Sequence, residues 1–231
     1  MPGANVATVR ALLSIVRKPV WHDLGKRALS AILLAPLALF GIWLGGPVWL
    51  VFVLAAAAIL AGEWFILAGF NAKSLALGIP YVALGPIALV WLRLDTRAGL
   101  LNVAFLVIVV WASDIGAYLF GRLVGGPRLA PRISPGKTWS GAGGGFAAAI
   151  LVGLVAALTP RAAGVAALLG IAAQSGDLLE SWIKRCFGVK DSGTWIPGHG
   201  GLLDRLDGLL VAAPVAALIA LLLGRGSFLW T

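Results

Sequence analysis

G-D-L-L-E-S-W-I-K-R-C-F-G-V-K-D-S-G-T-W-I-P-G-H-G-G-L-L-D-R-L-D-G, residues 176–208, holds five of the nine acidic residues of the chain: Asp177, Glu180, Asp191, Asp204 and Asp207. Lys184, Arg185, Lys190, Arg205 and His199 share the window. Apolar runs of helical length flank it, about Ala162 to Ile183 before and about Leu206 to Leu223 after. A lipid-facing chain has gathered its charge between the ends of two spans.

The remaining composition fits that frame. The chain has 231 residues, 60% hydrophobic and 12% charged, with a mean hydropathy of +0.98. A soluble domain is excluded, because such a chain lies mostly in lipid, where the backbone must satisfy its own hydrogen bonds. Long runs of Leu, Ala, Val and Ile, without the alternation of a membrane barrel, give an all-α polytopic bundle. One cysteine, Cys186, excludes an internal disulfide and a cysteine metal cage. Residues 1–27 are basic and polar, with no long apolar core. They read as an interfacial segment rather than a cleaved signal, followed by a membrane domain over 28–231.

Seven spans are expected, at about Leu29–Leu44, Val48–Phe70, Leu75–Trp91, Leu100–Leu123, Gly141–Leu158, Ala162–Ile183 and Leu206–Leu223. The third is expected to be interrupted by Pro80 and Pro86. With the N-terminus inside, 14 of the 18 basic residues fall on the cytoplasmic side, leaving Arg93, Arg97, Arg161 and Arg225 outside. The two longest polar loops, 124–138 and 184–203, then share the cytoplasmic face with a polar cavity. A multi-pass protein of a bacterial inner membrane is the expected setting.

Asp114 precedes Arg122 by eight residues and Asp177 precedes Lys184 by seven. Both carboxylates therefore sit roughly 10–12 Å below basic helix ends, in one layer. Acids at membrane depth face a bundle interior or a water path, or pair with a cation. Pairing is the expected role of Glu180, with Lys184 at i, i+4, and of Glu63. Asp204 and Asp207, at i, i+3, share one side of a helix at its dipole-positive start, where capping alone accounts for one of them. Asp177, Asp204 and Asp207 offer hard oxygen ligands suited to Mg²⁺. Two such ions would suit an in-line phosphoryl displacement. Lys137, Lys184, Arg185, Lys190 and Arg205 complement a triphosphate. Gly198, Gly200 and Gly201 permit close backbone approach. The phosphate loop G-x-x-x-x-G-K-[ST] is absent.

The pattern S-x-I-K-R-x4-K-D-x-G-x2-I-P-x-H-G-G-L-x-D-R-L-D, Ser181 to Asp207, closely resembles the signature of the phosphatidate cytidylyltransferases. Gly176 to Ser181, Ser113 to Arg122 and Ser134-Pro-Gly-Lys137-Thr138-Trp139 resemble the same family, with a weaker echo around Glu63. Gly136 and Ser140 depart from it, standing where lysine and glutamate are common. The resemblance implies a polytopic, Mg²⁺-dependent, dimeric enzyme that transfers CMP from CTP to phosphatidic acid. It places the metal centre on Asp177, Asp204 and Asp207, with a second ion, monovalent or divalent, left open. Catalysis is expected from those three with Lys184 and Arg205. Substrate contacts are expected from Asp114, Ser134, Lys137, Thr138, Ser181, Arg185, Lys190, Asp191, His199, Gly200 and Gly201. Expected partners are the two substrates, the bilayer and a second copy, with no nucleic acid. Two rivals remain: a cytidylyltransferase or kinase for another lipid or polyprenol phosphate, and a transporter using intramembrane carboxylates.

Overall fold

The computed structural model describes residues 36–69, 71–94, 97–193, 200–224 and 226–231. The basic segment 1–27, the first part of the first expected span, and His199 lie outside them. Residues 36–44 are helical, and the chain turns at Gly45 and Gly46, whose φ values are 64° and 52°. Among the described residues six helices follow that are each long and apolar enough to cross a membrane. They are α1 (Gly46–Ala68), α2 (Ala72–Arg93), α3 (Gly99–Leu123), α4 (Trp139–Ala157), α5 (Pro160–Cys186) and α6 (Leu203–Leu223).

Successive helices pack as neighbours, and α6 lies against both α5 and α2. Leu92, Leu106, Val109, Leu169 and Ala213 are among the side chains of the main buried core. Large apolar side chains such as Val51, Ile66, Leu77 and Val155 point outward. In water that surface would be a liability. In lipid it is the solvated face.

One expectation changes. The third span is not interrupted: α2 runs continuously through Pro80 and Pro86. A membrane helix tolerates proline where its neighbours re-satisfy the freed backbone groups, and α2 is held between α1 and α6. The all-α polytopic bundle itself is present, and what it adds to the expectation is a small antiparallel hairpin between α3 and α4. Strand β1 (Arg128–Ala130) pairs with β2 (Ser134–Thr138), Arg128 opposite Thr138 and Ala130 opposite Ser134. Pro131 and Pro135 disfavour helix here, and the tight pairing turns Lys137 and Thr138 back toward the bundle.

Candidate active site

The C-terminal ends of α3 and α5 and the N-terminal ends of α4 and α6 lie at one end of the bundle, and the hairpin packs against α4 and α5. Between them is a cavity of about 540 Å³. Its wall includes Asp114, Lys137, Thr138, Asp177, Asp204, Arg205 and Asp207, seven of the expected site residues. The layer of acids expected from helix spacing is present, since Asp114 and Asp177 face the same space.

Each polar wall residue has a local cause. Thr138 caps α4, its Oγ1 accepting from Gly141 N–H at 3.1 Å, which fixes the end of β2. Lys137, next in the strand, reaches Asp177 Oδ2 at 2.6 Å. Asp207 Oδ1 accepts from Gly208 N–H at 2.7 Å. Asp177 and Asp207 come from helices that approach closely, because Gly176 faces Gly208. A Cβ on Gly176 would lie 3.1 Å from Gly208 Cα.

Asp204 is more committed than its neighbours. Its Oδ1 takes Lys184 Nζ at 2.7 Å, and its Oδ2 accepts from Gly201 N–H at 2.9 Å and Ser192 N–H at 3.1 Å. Lys184 also contacts Glu180 Oε2 at 2.5 Å, so the expected i, i+4 pair is present and forms part of a buried triad. Lys184 is not on the cavity wall. Arg185 turns toward the hairpin, donating from Nε to Ile133 O at 3.2 Å and from a terminal nitrogen to Val189 O at 3.2 Å. Ser134 is half-buried in β2, Ser181 is buried in α5, and Lys190 and Asp191 are exposed beyond its end. Gly200, at φ 81°, and Gly201 lead into α6.

Glu63 departs from expectation. It is buried, yet its partners are amides rather than a cation: Leu202 N–H at 2.7 Å on Oε1 and Leu203 N–H at 2.8 Å on Oε2. Ser140, at a position where the resemblance departs, is anchored by Gly125 O and by Thr138 Oγ1 at 3.0 Å.

Three polar wall residues, Gln174, Tyr118 and Arg122, were not among the expected site residues. Gln174 donates from Nε2 to Ser113 Oγ at 3.2 Å and to Ala142 O at 3.3 Å. Tyr118 accepts at its hydroxyl from Arg122 Nη1 at 2.7 Å. Asp114, Tyr118 and Arg122 recur every four residues on one face of α3, a spacing that could have identified the last two once Asp114 was singled out.

Carboxylate oxygens on the wall match the donors a hard divalent cation takes. By donor chemistry Asp177 and Asp207 fit that task. Asp204 would share its oxygens with Lys184 and two amides. Among the described residues, no three His, Cys, Asp or Glu side chains form a group able to hold an ion.

Comparisons with known proteins place the sequence in a family. The cytidylyltransferase family profile matches residues 70–223. A phosphatidate cytidylyltransferase of Brucella suis is 48% identical over 167 residues, covering 70% of this chain and 60% of the relative. One of Rickettsia felis is 34% identical over 210 residues, covering 85% and 92%. One of Staphylococcus epidermidis is 45% identical over 129 residues, covering 52% and 50%. The match thus spans about 60% of the length of the Brucella relatives. With a charged cavity at one end of an apolar bundle and a match across α2 to α6, the chain belongs to the cytidylyltransferase family.

Proposed function

We propose that this chain transfers the cytidylyl group of CTP to phosphatidic acid, forming CDP-diacylglycerol and pyrophosphate. The observation that carries this reading is the cavity, where Lys137, Arg122 and Arg205 line the same wall as Asp114, Asp177 and Asp207 at the end of six apolar helices. Such a site can receive a polyanion from water and a headgroup from the bilayer. The relatives' names supply the substrate identities.

In this reading an oxygen of the lipid phosphate attacks the α-phosphorus of CTP. The bond from that phosphorus to the α–β bridging oxygen breaks, and pyrophosphate carries away the electron pair. The lipid phosphate is anionic at neutral pH, so no strong base is needed, and the protein's contribution is positioning and charge stabilisation. Lys137 and Arg205 would complement the triphosphate, while Arg122 and the Tyr118 hydroxyl, on the same wall, would offer a cation and a donor to the lipid phosphate. Asp177 and Asp207, with Asp204 the third candidate ligand, would hold Mg²⁺. When bound, the ion would neutralise charge building on the phosphate oxygens. A second ion, the homodimer, the bacterial inner membrane and the cytoplasmic orientation of the cavity belong to the same proposal.

The test is transfer of radiolabelled CMP from CTP to phosphatidate by purified protein in detergent, with and without Mg²⁺. Metal-dependent product that falls by about 10²-fold or more in Asp207→Asn supports the reaction and the metal assignment together. Activity retained in Asp207→Asn keeps the reaction and removes that ligand. No transfer to phosphatidate by folded wild type, with transfer to a polyprenyl phosphate, replaces the substrate.

A further inference from the structure

Helix α6 carries Asp204, Arg205 and Asp207 into the cavity, yet its own N-terminus has no local side-chain cap. Leu202 occupies the N-cap position and cannot accept a hydrogen bond through its side chain. The first N–H groups of a helix need acceptors, and in a membrane each unsatisfied one is costly. Glu63 supplies them from α1, more than a hundred residues away in sequence. Its Oε1 takes the Leu202 amide at 2.7 Å and its Oε2 the Leu203 amide at 2.8 Å. The Ser192 hydroxyl lies 3.4 Å from the same Oε2.

Ser192 links this cap to the wall. Its amide donates to Asp204 while its hydroxyl faces Glu63, so one residue joins the two carboxylates. Gly201, whose N–H binds Asp204, has no room for a side chain, since a Cβ there would lie 2.7 Å from Glu63 Oε2. Glu63 is 1% exposed and does not line the cavity, so it acts through other groups. Its negative charge suits the positive end of the α6 dipole.

We propose that Glu63 is a positioning residue for this site: its carboxylate is the N-cap that α6 lacks, and it fixes where Asp204, Arg205 and Asp207 stand on the cavity wall. The kinetic half of this inference rests on the cytidylyl-transfer reading. The structural half does not.

Glu63→Gln keeps the shape and replaces one acceptor with an amide donor facing an N–H. Two measurements on the full-length protein in detergent test the proposal. Hydrogen exchange of peptides covering 200–206 should quicken about tenfold or more, with α2 to α5 as in wild type, because only a local opening is released. Turnover per folded enzyme should fall about 10²-fold. KM for CTP should stay within about threefold, because the loss is in transition-state alignment. Ser192→Ala, a milder change that keeps the carboxylate, should move both readouts the same way by about three- to fivefold, and it carries the test where Glu63→Gln does not fold.

A purely structural Glu63 would lower the folded fraction, loosen the whole bundle and leave turnover per folded enzyme at the wild-type value. That result overturns the proposal, as does unchanged exchange at 200–206. Where wild type transfers no CMP to phosphatidate, the reaction assignment fails by itself, and localised exchange at 200–206 still decides whether Glu63 positions α6.

Discussion

Lys184 shows how one residue can be legible in kind and illegible in role. The i, i+4 spacing gives its pair with Glu180, and the structure contains it at 2.5 Å. Asp204, twenty residues on, completes the triad at 2.7 Å through a loop whose path no local spacing encodes. The Lys184 side chain is 12% exposed, Asp204 8% and Glu180 1%, so the charges face one another rather than water. Removing one member of a buried group leaves the rest uncompensated, at a cost of about 3–5 kcal/mol. Lys184→Met should therefore lower unfolding stability by about that amount. Adding Glu180→Gln should recover part of it, because one of the two stranded charges is gone. Denaturant unfolding of both variants in detergent measures this, and an equal loss in the single and double variants would contradict the coupling. Glu63 lies further from sequence reach. A lone buried acid can be read as a cation's partner, but not as the cap of a helix built from the other end of the chain.

At the scale of elements, apolar runs locate the helices to within a few residues, and the errors fall where backbone hydrogen bonding leaves the lipid pattern. The hairpin is such a place. Arg128 to Thr138 is polar and proline-rich, and its pairing depends on a frame set by α4 and α5, against which it packs. Nor does hydropathy reveal which glycines separate helices and which merely occur in them. Without a hydrophobic force between helices in lipid, close approach depends on small residues. Gly176 and Gly208 provide it between α5 and α6, beside the two acids they carry. Gly164, on the same helix, has nothing within 4 Å of a built Cβ. Gly176→Ala should force the seam apart, since its Cβ would meet backbone of α6, and should reduce turnover by about 10²-fold by displacing Asp177 from Asp207. Gly164→Ala should leave turnover unchanged and stabilise by about 0.5–1 kcal/mol through helix propensity. Parallel assays and melting curves of the two variants separate these outcomes, and equal effects would show that the seam is not the cause.

Across the whole molecule, charge is sorted to the two ends of the bundle. Lys73, Arg122, Arg128, Arg132, Lys137, Lys184, Arg185, Lys190 and Arg205 belong to the end that holds the cavity, while Arg93, Arg97 and Arg161 belong to the other. Positive charge is retained on the cytoplasmic side during insertion, so the cavity end should face the cytoplasm, where a nucleotide triphosphate is available. The sequence carries this argument almost completely, because it needs only span positions and basic residues. It cannot show that four helix ends and a hairpin enclose one space there. The chain contains its own reporter for the orientation. Cys186, the single cysteine, is exposed at the last residue of α5, on the cavity end. A membrane-impermeant maleimide should label Cys186 in inside-out vesicles and in detergent, but not in intact right-side-out vesicles. Labelling only from the outer side would reverse the orientation and leave the cavity without access to cytoplasmic CTP, even if the purified protein catalysed the transfer. Protection of Cys186 by added CTP in inside-out vesicles, absent with an equal concentration of inorganic sulfate, would further tie this end of the bundle to nucleotide rather than to anions in general.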